Sequence, residues 1–213
     1  MKESRGDVAV WSGVYPPSED TYLLLKNIPP EGGLALDVGT GSGIVAIELA
    51  KKGWTVIATD INPSASRNVL ENVRKKGLEG MVQVLTTDLL KFLRTGSKVD
   101  LVVFNAPYVP NNETSQYIND LSWHGGSNGR EAIEEFLWEI ESYELEIGCI
   151  LLVQSSLSDI YRTLKTLRSM NYIPEVLDEE SGFFEKIVLI RAISYSLAYT
   201  SIEEPHNPSR IIE

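Results

Sequence analysis

The sequence holds one cysteine, Cys149, and two histidines in 213 residues. A single thiol excludes an internal disulfide framework and fits a reducing compartment. Its place in the apolar run from Cys149 to Val153 reads as core. His124 and His206 have no metal-ligand spacing around them, so no metal site is expected. Positive charge is also scarce: 19 Lys and Arg against 30 Asp and Glu give a net charge of −11. That balance argues against a broad nucleic-acid surface, though not against a local one. Long apolar runs are missing as well. The opening MKESRGDVAV has no hydrophobic targeting core, and no uncharged run reaches membrane-spanning length. The expectation is a cytoplasmic protein with no membrane association.

What is present is an ordinary globular composition, 43% hydrophobic and 23% charged, long enough for a full core. Strand-like apolar segments fall at 34–38, 54–59, 81–87, 99–104 and 149–154. Two more, at 173–177 and 186–191, flank a Ser181-Gly182 turn closely enough to pair as a hairpin. Between them lie helical patterns. One opens at Ser18, a good N-cap followed by Glu19 and Asp20, and breaks at Pro29-Pro30. Another covers 44–52 and is closed by Gly53. A third covers 63–76, with Asn62 as N-cap, Pro63 at the first helical position and Gly77 as the stop. Further helices are expected near 131–145 and at 158–170. The alternation predicts a single doubly wound α/β domain, a mostly parallel seven-stranded sheet with an antiparallel C-terminal strand. It divides the chain into an arm at 1–13, a domain at 14–192 and a loosely ordered tail at 193–213.

The segment 99–104 runs into Asn105-Ala106-Pro107-Tyr108, where β-structure must stop because Pro107 has no N–H for a ladder. Open α/β sheets bind ligands at that end of their strands. An amide side chain, a free backbone carbonyl and an aromatic ring suit recognition of a planar –NH2 group. Asn105 Oδ1 and the Ala106 carbonyl would each accept one hydrogen while Tyr108 stacks on the flat group. On these four residues alone, a strand end turned by Pro and capped by Asn is an equal reading.

A glycine-rich turn follows the first strand. Its pattern, Asp37-x-Gly39-x-Gly41-x-Gly43, is not the spacing of dinucleotide sites. A carboxylate before the glycines would repel a pyrophosphate but serve a ligand carrying an ammonium or sulfonium charge. Asp60, ending the second strand, is placed for a ribose diol. Asp88, ending the third, would accept from an adenine amino group. Each acid alone reads as a loop cap; three at successive strand ends beside a glycine turn point to an adenosyl ligand without a pyrophosphate.

From Val14 to Arg191 the chain resembles the HemK-type N5-glutamine methyltransferases, a branch of the class I S-adenosylmethionine-dependent methyltransferases. The likeness rests on Tyr15-Pro-Pro-Ser-Glu-Asp-Thr21, the Asp37 to Gly43 turn, Thr59-Asp-Ile-Asn-Pro63, Thr87-Asp-Leu89, Asn105-x-Pro-Tyr108 and Trp123-His-Gly-Gly-Ser-Asn-Gly-Arg-Glu131. It implies S-adenosyl-L-methionine as cofactor and, as substrate, the glutamine of the Gly-Gly-Gln motif in a class I peptide release factor. It further implies that Tyr15, Thr21, Asp37, Gly39 and Gly41 surround the methionine part of the cofactor. Asp60 and Ile61 would meet the ribose, and Asp88 and Leu89 the adenine. Asn105 would serve both ligands, and Asn105, Ala106, Pro107 and Tyr108 would form the catalytic motif. The family usually has Pro where Ala106 stands, which keeps the carbonyl but not the pre-set φ. The archaeal and eukaryotic branch is the nearest in kind, and its members use a small zinc-binding activator subunit. The uncharged segment from Met81 to Thr87, expected as an outermost strand, is where such a subunit would pair.

The residues by themselves leave two other functions open. An adenine-N6 methyltransferase would use the same clamp on a flipped base. A non-catalytic cofactor-binding subunit would have no use for Asn105 and Tyr108. The segments 111–120 and 123–130 are expected to form the substrate groove, with Arg130 its cation and Glu113 and Asp120 its acids.

Overall fold

The structure, a computed structural model, describes residues 8–30, 32–108, 129–182 and 185–198. In chain order the elements are α1 (Glu19–Asn27), β1 (Leu34–Val38), α2 (Ile44–Lys51), β2 (Thr55–Asp60), α3 (Pro63–Lys76), β3 (Val82–Thr86) and β4 (Lys98–Asn105). There follow α4 (Glu131–Ser142), β5 (Glu146–Ser155), α5 (Ile160–Ser169), β6 (Tyr172–Ser181) and β7 (Lys186–Ser194). The seven strands form one sheet in the order β3-β2-β1-β4-β5-β7-β6. Strands β1 to β5 run parallel to one another, and β7 runs antiparallel to both β5 and β6. This is the expected doubly wound sheet with β3 at one edge.

Side-chain alternation along the buried strands divides the core between two faces. In β4, Leu101 and Val103 join one cluster with Leu24, Ile47 and Val69 from α1, α2 and α3. Val102 and Phe104 join the other, with Ile133 and Phe136 from α4 and Leu167 from α5. Phe104 and Phe136 pack with ring centroids 5.0 Å apart. Helix α3 begins as its sequence dictates: Asn62 Oδ1 accepts from Ser64 N at 2.9 Å, and Pro63 follows at the first position.

Two helices are shorter than their sequence pattern. α4 stops at Ser142 because Glu144 turns to a φ of +50° and Leu145 N donates back to Ile140 O at 3.0 Å. The expected helix at 158–170 is split. Ser155 Oγ accepts from Leu157 N at 3.1 Å and opens a 3-10 turn at Ser156–Ser158. α5 then starts at Ile160, where Asp159 accepts from Arg162 N at 3.1 Å. The tail also differs: residues 195–198 make a helical turn, and Tyr195 N donates to Asn171 O at 3.0 Å. Among the described residues no helix is long and apolar enough to cross a membrane.

Candidate active site

The carboxyl ends of β1, β2 and β4 lie side by side, since β1 pairs with both of the others. After β1 the chain turns through Gly39, Gly41 and Gly43 with φ of +65°, +55° and +83°. Gly43 is required twice over. Its backbone is left-handed, and an added Cβ would lie 2.8 Å from Val69 Cγ1 on α3. Asp37 sits buried under this turn, where its Oδ2 accepts from Thr40 Oγ1 at 2.6 Å and from Ala46 N at 3.0 Å. Burial pushes its carboxyl up to about 7, against those two hydrogen bonds, which favour the anion. Asp60 braces the turn from the β2 side. Its Oδ2 accepts from Gly41 N at 2.9 Å and its Oδ1 from Asn62 N at 2.8 Å, and burial raises its pKa too.

The third acid is placed differently. Thr87 N donates to Asp60 O at 3.0 Å, which brings the segment after β3 alongside β2. Asp88 itself is only partly buried and forms an ion pair with Lys91, which also reaches Glu135 at 2.8 Å. Leu89 takes a φ of +38°, and Ile61 beside Asp60 is exposed.

Asn105 is the last residue of β4, and its Oδ1 is buried with no hydrogen-bond partner among the described residues. Ala106 is buried in the second core cluster, whereas Pro107 and Tyr108 are half-buried. The Tyr108 hydroxyl donates to Asp20 Oδ2 at 3.3 Å, and the Tyr15 hydroxyl donates to the same oxygen at 2.6 Å. Thr21 N donates to Asp20 Oδ1 at 2.5 Å, and Thr21 Oγ1 accepts from Ser18 N at 3.3 Å. Tyr15 lies against the glycine turn, because a Cβ added at Gly41 would be 3.5 Å from both Tyr15 Cβ and its carbonyl oxygen. Asp20, read from sequence as a charge at the start of a helix, is thus a shared acceptor at the site. A signal for it was present. Asp20, Leu23 and Leu24 stand at i, i+3 and i+4, so the acid occupies the apolar stripe of α1, and all three are buried.

Arg130 departs from its expected place as the groove's cation. It is buried, donating from Nη1 to the carbonyls of Ser158 and Asp159 and from Nη2 to Thr163 Oγ1 at 3.2 Å. It therefore ties the start of α4 to the start of α5. Gly129 just before it packs on Tyr108, whose carbonyl oxygen an added Cβ would strike. Residues 111–120 and 123–128, with Glu113, Asp120, Trp123 and His124, lie outside the described residues, as does His206. The arm is more firmly held than its composition suggests. Asn68 and Asn72, buried on α3, bond residues 9 and 11: Ala9 N and Trp11 N donate to their side-chain oxygens, each at 2.9 Å. Asn72 Nδ2 also donates to Ser42 O at 2.9 Å, joining arm, helix and glycine turn.

A parallel sheet with a glycine turn after β1, acids at the next strand ends and one antiparallel strand near its far edge defines a methyltransferase domain. A family model described as a methyltransferase domain matches residues 35–125. Among curated proteins, one from Methanocaldococcus jannaschii, provisionally named a protein N5-glutamine methyltransferase, is 32% identical over 184 residues, 84% of this chain and 91% of its own. Methyltransferase HEMK2 of Homo sapiens is 36% identical over 172 residues, 73% of this chain and 79% of its own. In the solved structure of the E. cuniculi Mtq2–Trm112 complex, which methylates the translation termination factor eRF1, a chain aligns with a TM-score of 0.63 at 26% identity. The alignment covers 85% of this chain and 99% of that one. The present chain belongs to the protein N5-glutamine methyltransferase family of HemK type.

Proposed function

We propose that this protein, through its domain at 14–192, transfers a methyl group from S-adenosyl-L-methionine to the side-chain amide nitrogen of the glutamine in a release factor's Gly-Gly-Gln motif. The observation that carries the reading is Asn105 Oδ1, a buried acceptor without a partner among the described residues, at a strand end beside the Ala106 carbonyl. A buried acceptor left unpaired costs about 1–3 kcal/mol, a cost removed when an N–H arrives. An amide –NH2 brings two such hydrogens.

The residues fit the cofactor. The left-handed glycine turn lets a ligand approach the backbone, while Asp37 and Asp60 under and beside it disfavour a pyrophosphate and favour a cationic nucleoside. Tyr15, Thr21, Asp37, Gly39 and Gly41 would hold the methionine part, Asp60 and Ile61 the ribose, and Asp88 and Leu89 the adenine. When bound, S-adenosylmethionine supplies a methyl group already activated by the sulfonium. The protein's share is alignment. Asn105 and the Ala106 carbonyl accept both amide hydrogens, which fixes the nitrogen's direction and favours the positive charge that develops on it. Pro107 follows the end of β4 at Asn105, and Tyr108 would cover the flat face of the amide.

The same reading includes a small zinc-binding activator subunit on β3. The two sheet edges differ in how they are protected. β6 carries Pro174, Glu175, Asp178, Glu179 and Glu180 and has an irregular register between Val176 and Asp178. β3, Val-Gln-Val-Leu-Thr, has no charge, no Pro and no bulge, and Gln83, Leu85 and Thr86 are exposed. An edge so unguarded accepts another strand. The enzyme would work in the cytoplasm, where release factors act.

The test is mass spectrometry of a release factor incubated with enzyme, activator and cofactor. One added methyl on the Gly-Gly-Gln peptide, absent when that Gln is replaced by Asn, is the expected result. Transfer to adenine in DNA or RNA with none to the peptide would overturn it.

A further inference from the structure

Asp20 is 2% exposed, and its two oxygens are shared between three neighbours. Oδ1 holds the backbone and hydroxyl of Thr21. Oδ2 receives two phenols from segments far apart in sequence, Tyr15 at 2.6 Å and Tyr108 at 3.3 Å. Tyr15 lies with its Cβ and carbonyl oxygen against Gly41 of the glycine turn. Tyr108 belongs to the motif that ends β4. One carboxylate oxygen therefore joins the cover of the turn to the motif proposed to receive the amide. Both phenols are held above the ordinary tyrosine range, first by burial and then by the charge of Asp20, so both stay donors at any working pH. A carboxylate serving only to start α1 would need neither of them: its bond to Thr21 N would suffice.

We infer that Asp20 is a positioning residue that sets Tyr108 against the substrate amide and links it mechanically to Tyr15 over the cofactor turn. The inference rests on the reading of Tyr108 as the amide's aromatic cover. Its consequence is thermodynamic coupling. If the two phenols share one anchor, a ligand that orders Tyr15 also orders Tyr108, and the effect must be reciprocal between the two ligands. Gly129 packs on the Tyr108 carbonyl, so Tyr108 is held at its backbone by Gly129 and at its hydroxyl by Asp20.

The experiment is a double-mutant cycle on Tyr15→Phe and Tyr108→Phe, with Asp20→Asn alongside. The Phe variants keep both rings and leave Asp20 untouched, so the cycle reads even where Asp20→Asn folds poorly. Binding of S-adenosylhomocysteine is measured by calorimetry without any methyl acceptor, and kcat and KM for the release factor are measured separately. Tyr108→Phe should weaken S-adenosylhomocysteine by about two- to tenfold although it belongs to the substrate motif, the range of one lost hydrogen bond. The double variant should be no weaker than the weaker single one, and Tyr108→Phe should raise KM for the release factor more than it lowers kcat. Additive effects in the cycle, or a Tyr108→Phe variant with parental S-adenosylhomocysteine affinity, would overturn the inference. A parent enzyme that leaves release factor unmethylated would instead sink the proposed function, while the calorimetric cycle would still report on the link.

Discussion

Around the glycine turn, Asp37 and Asp60 already make their hydrogen bonds within the protein, to Thr40, Ala46, Gly41 and Asn62. At the end of β4, Asn105 Oδ1 is equally buried and makes none among the described residues. The two regions are neighbours on one sheet and are built on opposite principles. In the first, the two acids are satisfied and hold backbone shape before any ligand arrives. The second leaves a buried acceptor open, the one the proposed amide would satisfy. A site of this kind binds one molecule by shape already present and orients the other by a hydrogen bond the protein cannot make for itself.

The comparison breaks most visibly at Asp60. Asp60→Ala should weaken S-adenosylmethionine by about 2–4 kcal/mol, because it strands the N–H groups of Gly41 and Asn62 as well as removing the acceptor proposed for the ribose. Calorimetric titration checks this, and parental affinity would take Asp60 out of the site. Asn105→Ala should do the reverse, leaving cofactor affinity near parental while lowering kcat about a hundredfold, the scale of a lost preorganised polar group. Single-turnover kinetics with saturating cofactor would show it.

Asp37 sharpens the contrast through pH. Burial holds its folded pKa at about 7, well above the ordinary carboxylate range, so between the two the native state holds a proton that the unfolded chain has released. The group's contribution to stability is therefore full below the unfolded value and is lost as pH rises through about 7. Asp37→Asn, which keeps an acceptor but cannot ionise, should gain on the parent as pH rises across that range. Thermal melting should register about 2–4 °C for each kcal/mol recovered. A constant difference between variant and parent from pH 4 to pH 8 would contradict the assignment. The smallest effect is expected at Ala106. Ala106→Pro pre-sets φ and suits the extended Asn105 before it, but adds ring atoms at a buried position, so kcat/KM should change by less than about threefold.

Much of this was readable before any coordinates. The β/α alternation, the glycine turn and the outermost place of β3 follow from periodicity, punctuation and the usual order of such sheets. Asn105 to Tyr108 stood out because Pro107 forbids a strand just where ligands bind. The parts that were not readable depend on contacts between distant segments. Nothing local pairs Tyr108 with Asp20, 88 residues away. Asn68 and Asn72 look like solvated helix residues until the arm is found lying on them. Arg130 was misjudged for a related reason: an Arg beside a polar loop reads as exposed, whereas three carbonyl and hydroxyl acceptors on the next helical unit take it inside. Asp88 stands two residues beyond the end of β3, and its pairing with Lys91 through Oδ2 is a contact its position in the sequence did not announce.

The order β5-β7-β6 has a consequence for how the protein is made. β7 is the last strand among the described residues, yet it lies between β5 and β6 and pairs with β5 from Cys149↔Ile193 to Ser155↔Ile187. A nascent chain emerging from the ribosome in sequence order can assemble the sheet from β3 through β5 and then must wait. Until the final strand is synthesised, the apolar flank of β5 is an open ladder, and β6 has nothing to attach to. The flank of the sheet beyond β5 is thus completed only when Lys186–Ser194 is available to take its place between β5 and β6.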